Sequence, residues 1–243
     1  MISDEQFERL RQDGWARFPG AVSSNLVTLA IDAIKADCAH NYDPTRQAEY
    51  DYLSFCPDLR DKPPISELLT HSTGRTILDR VLGWDEIEFS PGQIAIRQAH
   101  NTDTPYPPVP HIDGTGAGKY GRSSESPISN FTALLGVFLT KVDVEFAGNF
   151  AVWPGSHHRL EAYFQNRGPQ AMFEGMPQID LGQPTQLFAN PGDVILCHYQ
   201  LAHAAAVNLS ANDRIAVYFR IWLKGIENRR WQLLTNIWDG WKI

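Results

Sequence analysis

From residue 85 onward the sequence is a succession of short apolar or alternating runs, separated by glycine, proline, asparagine and aspartate. Runs of about four to eight such residues are typical of β-strands, and many of them in succession indicate a sandwich or barrel. The predicted strands are 85–90, 93–99, 131–140, 149–153, 186–189, 194–199, 204–208 and 214–223. The pattern therefore predicts a mainly β core.

Helical patterns flank this core. Ser3 with Gln6 three residues later is a capping-box signal for a first helix. Apolar residues at helical spacing continue over 64–83, and 227–238 predicts a final helix. We predict one domain over residues 1–243, which consists of a mostly helical lead-in (1–84), the β core (85–225) and a C-terminal helix (226–243).

Composition narrows the classes of function. The formal charge is −7 and no lysine or arginine run stands out, which argues against nucleic acid or an anionic membrane as the main partner. No apolar run approaches the roughly 18 residues that a membrane span needs. Three cysteines without regular spacing predict reduced thiols rather than a disulfide framework. We predict a cytoplasmic protein, and the sequence leaves its oligomeric state open.

His111 and Asp113 are the first residues that suggest chemistry. In a strand, residues two apart point to the same side, so an imidazole and a carboxylate could face one metal ion. Alone, this pair is a weak signal. A buried-looking strand later ends at His203, and Arg214 begins another strand eleven residues further on.

Two histidines and one carboxylate on one face form the facial triad of non-haem iron(II) oxygenases. Such a site has a net charge of about +1 with iron(II) and can take a dianionic 2-oxo acid while keeping a position for O2. The far carboxylate of 2-oxoglutarate then needs a cation, and the planar, always charged fork of Arg214 suits that role.

Several motifs in register resemble the phytanoyl-CoA dioxygenase (PhyH-like) family of Fe(II)/2-oxoglutarate oxygenases. They are the opening "ISDEQFERLRQDGWARFPGAVSSNLVTLAIDAI", "AIRQAHN", "HID", "GNFAVWPGSHH" and "GDVILCHYQLAHAAAVNLSANDR". The resemblance covers nearly the whole chain. It implies a double-stranded β-helix core, that is, a jelly roll of the cupin type.

The same resemblance implies iron(II) and 2-oxoglutarate as cofactors. It matches His111, Asp113 and His203 to the metal ligands and Arg214 to the residue that binds the distal carboxylate of 2-oxoglutarate. Arg97 stands where the family often has a lysine that assists the co-substrate. His198 resembles a family histidine that is not a ligand.

Other positions are weaker predictions. Asn130 and Thr132 begin a strand expected to cross the barrel, so either could bind the co-substrate. The stretch 100–130, rich in proline, glycine and serine, is predicted to be a functional loop. The predicted substrate residues are Tyr106, Lys119, Arg122 and Trp153, although core packing is an equally simple interpretation of Trp153.

One departure from the family pattern affects the co-substrate site, and one residue that matches the pattern narrows the reaction. Ala205 occupies a position that often carries a hydroxyl for 2-oxoglutarate, so co-substrate binding is expected to be weaker unless Thr132 compensates. Asp113 is a carboxylate rather than the alanine or glycine of halogenating relatives, which favours hydroxylation or another two-electron oxidation.

The predicted activity is therefore oxidation of a C–H bond in a small-molecule metabolite by O2, with formation of succinate and CO2. Two alternatives remain open at this point. One is a family member that binds metal and 2-oxoglutarate without turnover, as a sensor or binding protein. The other is a cupin-like barrel that uses the same ligands without 2-oxoglutarate, which the position of Arg214 disfavours.

Overall fold

A computed structural model describes residues 3–99, 104–115 and 129–243. The helices in this part are α1 (Asp4–Asp13), α2 (Ser24–Asn41), α3 (Gln47–Tyr52), α4 (Pro63–Thr70), α5 (Thr73–Val81) and α6 (Ser156–Arg167). The strands are β1 (Trp15–Phe18), β2 (Ile87–Phe89), β3 (Gln93–Arg97), β4 (Ala133–Phe138), β5 (Phe150–Val152), β6 (Thr185–Gln186), β7 (Val194–His198), β8 (His203–Ala205) and β9 (Arg214–Leu223).

The strands form two antiparallel sheets. The larger has the order β1-β7-β4-β9-β2, with β3 also paired to β9, and the smaller has the order β6-β5-β8. They face each other as the jelly roll predicted from the resemblance. Each predicted strand of the β core is present, most of them shortened at one or both ends.

Alternation along β9 defines the two layers of the core. Ile215, Val217 and Phe219 pack with the lead-in helices, whereas Ala216 and Tyr218 face the space between the two sheets. Arg214 and Arg220 lie two residues beyond these inner positions, so their side chains belong to the same inner face. Arg214 and Arg220 therefore point into the interior of the jelly roll.

The lead-in begins as its sequence predicts. Ser3 and Gln6 form the reciprocal capping box of α1, and Gly14 ends the helix in a left-handed conformation with φ of 82°. β1 then joins the edge of the larger sheet by pairing with β7. The lead-in thus includes one strand of the core as well as α1 to α5.

The predicted C-terminal helix is wrong. Residues 226–243 contain only short 3-10 turns, at Ile226–Asn228 and Gln232–Leu234. The physical reason is tertiary hydrogen bonding around Ile237, whose N–H donates to Glu161 and whose carbonyl accepts from His198. Helix α6, which begins within the "PGSH" segment, was not predicted, although Leu160, Tyr163 and Phe164 in it have helical spacing.

No helix in the described part of the chain is long and apolar enough to cross a membrane.

Candidate metal and co-substrate site

His111 and His203 face each other across an isolated antiparallel bridge. Their backbones exchange two hydrogen bonds, 3.0 Å from His111 N to His203 O and 2.9 Å in the reverse direction. Asp113 lies two residues after His111, and its Oδ1 is 3.8 Å from His111 Nε2 and 3.9 Å from His203 Nε2. The described residues thus bring the three predicted ligands into one group that could hold a metal ion.

The tautomer of His203 suits metal binding. Its Nδ1 lies 3.0 Å from the Leu201 carbonyl, to which it donates, so the lone pair of Nε2 points toward Asp113 and His111. Phe150 stacks on the ring with centroids 5.4 Å apart. A backbone carbonyl and an aromatic face therefore fix the orientation of this imidazole.

His111 is also held neutral. Burial and the neighbouring imidazole of His203 lower the pKa of His111 to about 4, although 51% of its side chain remains exposed. A neutral imidazole is the form that binds a metal ion.

Asp113 is clamped by Arg220 of β9. Its Oδ2 accepts hydrogen bonds from Arg220 Nε at 3.0 Å and Nη2 at 2.8 Å, which leaves Oδ1 facing the histidines. Burial alone would raise the pKa of Asp113, but the charge of Arg220 and the two imidazoles hold it below its usual value. The carboxylate is therefore ionised and oriented for a ligand role.

Arg214 is a buried cation. Only 2% of its surface is exposed, its Nε donates to the Gly148 carbonyl at 2.7 Å, and its Nη1 donates to the Ala95 carbonyl at 3.2 Å. Among the described residues no carboxylate lies within ion-pair distance of it. Because a buried charge is costly without a counter-ion, this arrangement indicates that a ligand supplies the anion.

Gly148 allows the backbone to approach Arg214 closely. It has a φ of 71°, and a Cβ at this position would lie 2.9 Å from the Cβ of Arg97 and 3.1 Å from the Cβ of Arg214. A larger residue would push the Gly148 carbonyl away from the guanidinium.

Tyr218 contributes a buried hydroxyl next to this cation. It lies on the inner face of β9 between Arg214 and Arg220, and its ring packs on Phe150 with centroids 5.5 Å apart. Its hydroxyl has no hydrogen-bond partner among the described residues. Burial raises its pKa, so the group is a neutral donor that a ligand could satisfy.

Arg97 and Tyr106, which were predicted to serve different ligands, line one cavity of about 180 Å³. Ala205 and Asn208 contribute to the same wall, and Asp51 from α3 pairs with Arg97 at 3.8 Å. Arg97 is opposite Arg214 in the register of β3 and β9. The cavity therefore adjoins the buried guanidinium and has a polar lining.

Asn130 and Thr132 lie elsewhere. Thr132 Oγ1 accepts a hydrogen bond from Leu223 N, and Leu223 ends β9 whereas Arg214 begins it. Asn130 Nδ2 donates to the Arg230 carbonyl. The reason is that β4 runs antiparallel to β9, so its beginning meets the end of β9. Their predicted contact with the co-substrate gains no support from these positions.

The predicted substrate residues are dispersed. Tyr106 is exposed at the cavity, whereas Trp153 is 5% exposed and packs in the core between the sheets. Lys119 and Arg122 lie outside the described residues.

His198 has both ring nitrogens committed. Its Nε2 donates to the Ile237 carbonyl at 2.8 Å, and its Nδ1 accepts from Gln200 N at 3.0 Å. It therefore has no lone pair left for a metal ion, which agrees with the prediction that His203 rather than His198 is the ligand.

Comparison with known proteins identifies the family. The model of the phytanoyl-CoA dioxygenase (PhyH) family matches residues 89–216, more than half of the chain, and this segment contains the triad and Arg214. The chain belongs to this family. Its members are iron(II)- and 2-oxoglutarate-dependent oxygenases, so the recognition based on sequence motifs is confirmed. No curated protein matches the sequence.

Solved structures with the same fold are distant in sequence. The non-haem α-ketoglutarate-dependent epimerase SnoN from nogalamycin biosynthesis is 17% identical, with a TM-score of 0.60 over 90% of this chain and 80% of its own. The carbocyclase SnoK from the same biosynthesis is 20% identical, with a TM-score of 0.59 over 90% and 83%. HygX from Streptomyces hygroscopicus, with nickel and 2-oxoglutarate bound, is 18% identical, with a TM-score of 0.60 over 93% and 88%.

Three features of this PhyH-family site were missed by sequence reasoning. Arg220 and Tyr218 lie outside the motifs quoted above, and Gly148 begins one of them without a role assigned to it. Arg220 and Tyr218 could have been found from the alternation along β9, because both share the inner face with Arg214. The role of Gly148 depends on a close approach that only the folded chain shows.

Proposed function

We propose that this chain is an Fe(II)- and 2-oxoglutarate-dependent oxygenase that hydroxylates a C–H bond of a small-molecule metabolite. The observation that carries the proposal is the shared inner face of β9. From this face Arg220 holds the carboxylate of Asp113, and Arg214 offers a buried cation that has no carboxylate partner in the described part of the chain. One end of an α-keto diacid can therefore meet the metal while the other meets Arg214.

The described residues fit both cofactors. Two neutral imidazoles and one carboxylate are ligands that non-haem iron(II) accepts and that leave positions for a co-substrate and O2. The orphaned hydroxyl of Tyr218 and the guanidinium of Arg214 are donors that a carboxylate can satisfy. Bound together, iron(II) and 2-oxoglutarate supply the oxidising power through reduction of O2 with release of succinate and CO2.

The protein residues supply position and polarity. Leu201 fixes the tautomer of His203, and Arg220 fixes the ionised state and direction of Asp113. Arg214 would hold the distal carboxylate of the co-substrate with the guanidinium donors that Gly148 and Ala95 leave free. Phe150 and Tyr218 close the space between the sheets against water, which strengthens these charge interactions.

Hydroxylation is proposed over halogenation because Asp113 occupies the position that a halide would need. SnoN and SnoK, by their names, catalyse epimerisation and ring closure on this fold. Product analysis therefore has to define the reaction of this chain. The polar cavity beside Tyr106 and Arg97 supports a small polar substrate or the co-substrate tail as its occupant.

The test is an assay of succinate formation. The full-length protein is purified without oxygen, and Fe(II), 2-oxoglutarate and O2 are added with and without a library of candidate metabolites. We expect succinate to accumulate faster with the correct substrate, which gains one oxygen atom by mass spectrometry. Asp113→Ala should be inactive, whereas His198→Gln, outside the triad, should keep turnover.

Each result has a separate meaning. Absence of succinate under every condition, with metal and 2-oxoglutarate still bound, would overturn the oxygenase proposal in favour of a binding protein. Binding of metal without any affinity for 2-oxoglutarate would instead favour a barrel that uses other chemistry. Full activity in Asp113→Ala would refute the assigned metal site.

A further inference from the structure

We propose that Cys38 and Cys56 form a peroxide-reactive dithiol that closes to an intramolecular disulfide. Their Sγ atoms lie 3.5 Å apart, one at the last turn of α2 and the other just after the segment that pairs with β3. A disulfide needs about 2.05 Å between the sulfurs, so closure requires the two side chains to approach by only about 1.5 Å.

The two thiols differ in environment. Cys38 is half-buried and Cys56 is buried. The contact between the two thiols lowers the pKa of Cys38, whereas the same contact and burial raise the pKa of Cys56. The carboxylates of Asp37 and Asp213 oppose ionisation of Cys38 without reversing this order. Cys38 is therefore the thiol that attacks the oxidant first, and Cys56 is the thiol that then attacks the oxidised Cys38 to form the disulfide.

Access favours a small oxidant. The pair lines a cleft of about 10 Å³, bordered by Tyr42, Tyr50 and Phe55, which has room for roughly one water-sized molecule. Hydrogen peroxide is close to that size, whereas a tripeptide thiol is far larger. A peroxide would therefore displace fewer of the lining side chains than a bulky disulfide would.

The backbone conformation of Cys56 also favours formation of the disulfide. Cys56 has a φ of 47°, a left-handed conformation that is uncommon for residues other than glycine. It lies between Phe55, whose N–H donates to the Ile94 carbonyl at 2.9 Å, and Pro57, which starts a 3-10 turn. This conformation fixes the thiol toward α2, so little backbone entropy remains to be lost on closure.

The chemistry balances with peroxide as the oxidant. The Cys38 thiolate attacks one oxygen of hydrogen peroxide, the O–O bond breaks, and a sulfenic acid and hydroxide form. The Cys56 thiol then attacks the Cys38 sulfur, an S–S bond forms, and the hydroxyl leaves as water after the Cys56 proton is transferred. In total, two thiols lose two electrons and one peroxide becomes two waters. The cross-link joins α2 to the segment that pairs with β3.

Cys197 provides a matched control within the chain. It is buried in the core between the sheets, burial raises its pKa, and no other thiol contacts it. A general loss of thiols by unfolding or harsh oxidation would include Cys197, whereas the proposed reaction spares it.

The experiment treats the full-length chain with a small excess of hydrogen peroxide, in the presence of a chelator that keeps iron away. We expect free thiols to fall from three to one, the intact mass to fall by two hydrogen atoms, and a peptide with the Cys38–Cys56 link to appear after digestion. A thiol reductant should restore all three. Cys197→Ser should still form the link.

Single variants separate the two steps. Cys56→Ser should accumulate a sulfenic acid on Cys38 that a dimedone probe traps. Cys38→Ser, at the more exposed position, should leave Cys56 unreactive and serves if the buried variant does not fold. Retention of three thiols, over-oxidation of Cys38 without a link in the wild-type chain, or loss of Cys197 first would overturn the proposal.

Discussion

Arg220 holds Asp113 by two hydrogen bonds to the same carboxylate oxygen, at 3.0 and 2.8 Å, and so presents the other oxygen to His111 and His203. Gln93 Oε1 accepts from the same guanidinium at 2.9 Å, which secures it from the β3 side. A carboxylate held in this way is both ionised and directed.

Replacing Arg220 should therefore weaken metal binding without unfolding the chain, because its side chain is about one-third exposed. For Arg220→Leu we expect a 10- to 100-fold loss of affinity for Co²⁺ or Mn²⁺, as is usual for partners that orient metal ligands. Arg220→Lys should recover part of this loss. Titration monitored by calorimetry measures it, and unchanged affinity in Arg220→Leu would remove the assigned role.

His203 and His198 make a direct test of ligand choice. His203→Ala should abolish metal binding at micromolar metal, because it removes one of three ligands. His198→Gln should keep metal binding, because both ring nitrogens of His198 already bind backbone groups. If His203→Ala kept metal binding and His198→Gln lost it, His198 would be the ligand.

Arg214→Met should lower 2-oxoglutarate affinity by about 100-fold, since a charge-assisted pair to a carboxylate is worth roughly 1.5–3 kcal/mol. Metal binding should persist. Stability without ligand should be equal or higher, because the variant removes a buried charge that has no counter-ion among the described residues.

The matched control is Arg97→Met. Arg97 is 39% exposed and already pairs with Asp51, so the loss of 2-oxoglutarate affinity should be smaller. An equal or larger loss than in Arg214→Met would reverse the order of the two arginines.

Ala205 is the place to strengthen the co-substrate site. It lines the cavity beside Arg97, and a hydroxyl there could donate to a carboxylate. Ala205→Ser should tighten 2-oxoglutarate binding by about three- to tenfold, the value of one added hydrogen bond. Ala205→Val, which adds volume without a donor, should weaken it, and tightening in both variants would rule out the hydrogen bond as the cause.

The buried histidines His157 and His198 predict that the folded chain is sensitive to acid. Burial lowers the pKa of His157 to about 2 and that of His198 to about 4, against 6.5 when unfolded. Below pH 6.5 these two histidines are protonated in the unfolded chain but remain neutral in the folded chain. The free energy of unfolding therefore decreases as the pH falls below 6.5. The His198 contribution levels off near pH 4, and that of His157 continues to lower pH.

Between pH 6.5 and 5 the loss should be about 2 kcal/mol for each of these two histidines. Urea denaturation at several pH values measures it. His198→Gln cannot gain a proton and should show a shallower dependence than the wild type. Parallel curves for the two proteins would exclude His198 as a source of the effect.

Much of the fold could be read from local pattern. The strands were predictable because their apolar runs are bounded by turn residues, and α1 because Ser3 and Gln6 form a capping box. The C-terminal helix was not, because Ile237 exchanges helical hydrogen bonds for contacts with Glu161 and His198, which are distant in sequence.

The candidate site, like the fold, has features that the sequence predicts and features that only the folded chain shows. The sequence by itself determined the spacing of His111, Asp113, His203 and Arg214 and was enough to predict the first three as metal ligands, because strand alternation and ordered motifs are local properties. Only the tertiary structure decided that Arg220 holds Asp113 and that Asn130 and Thr132 lie at the far end of β9. It also decided that, among the described residues, the Tyr218 hydroxyl has no hydrogen-bond partner and Arg214 has no carboxylate partner. Those relations depend on the register of paired strands and on the burial of charge, which a linear pattern does not encode.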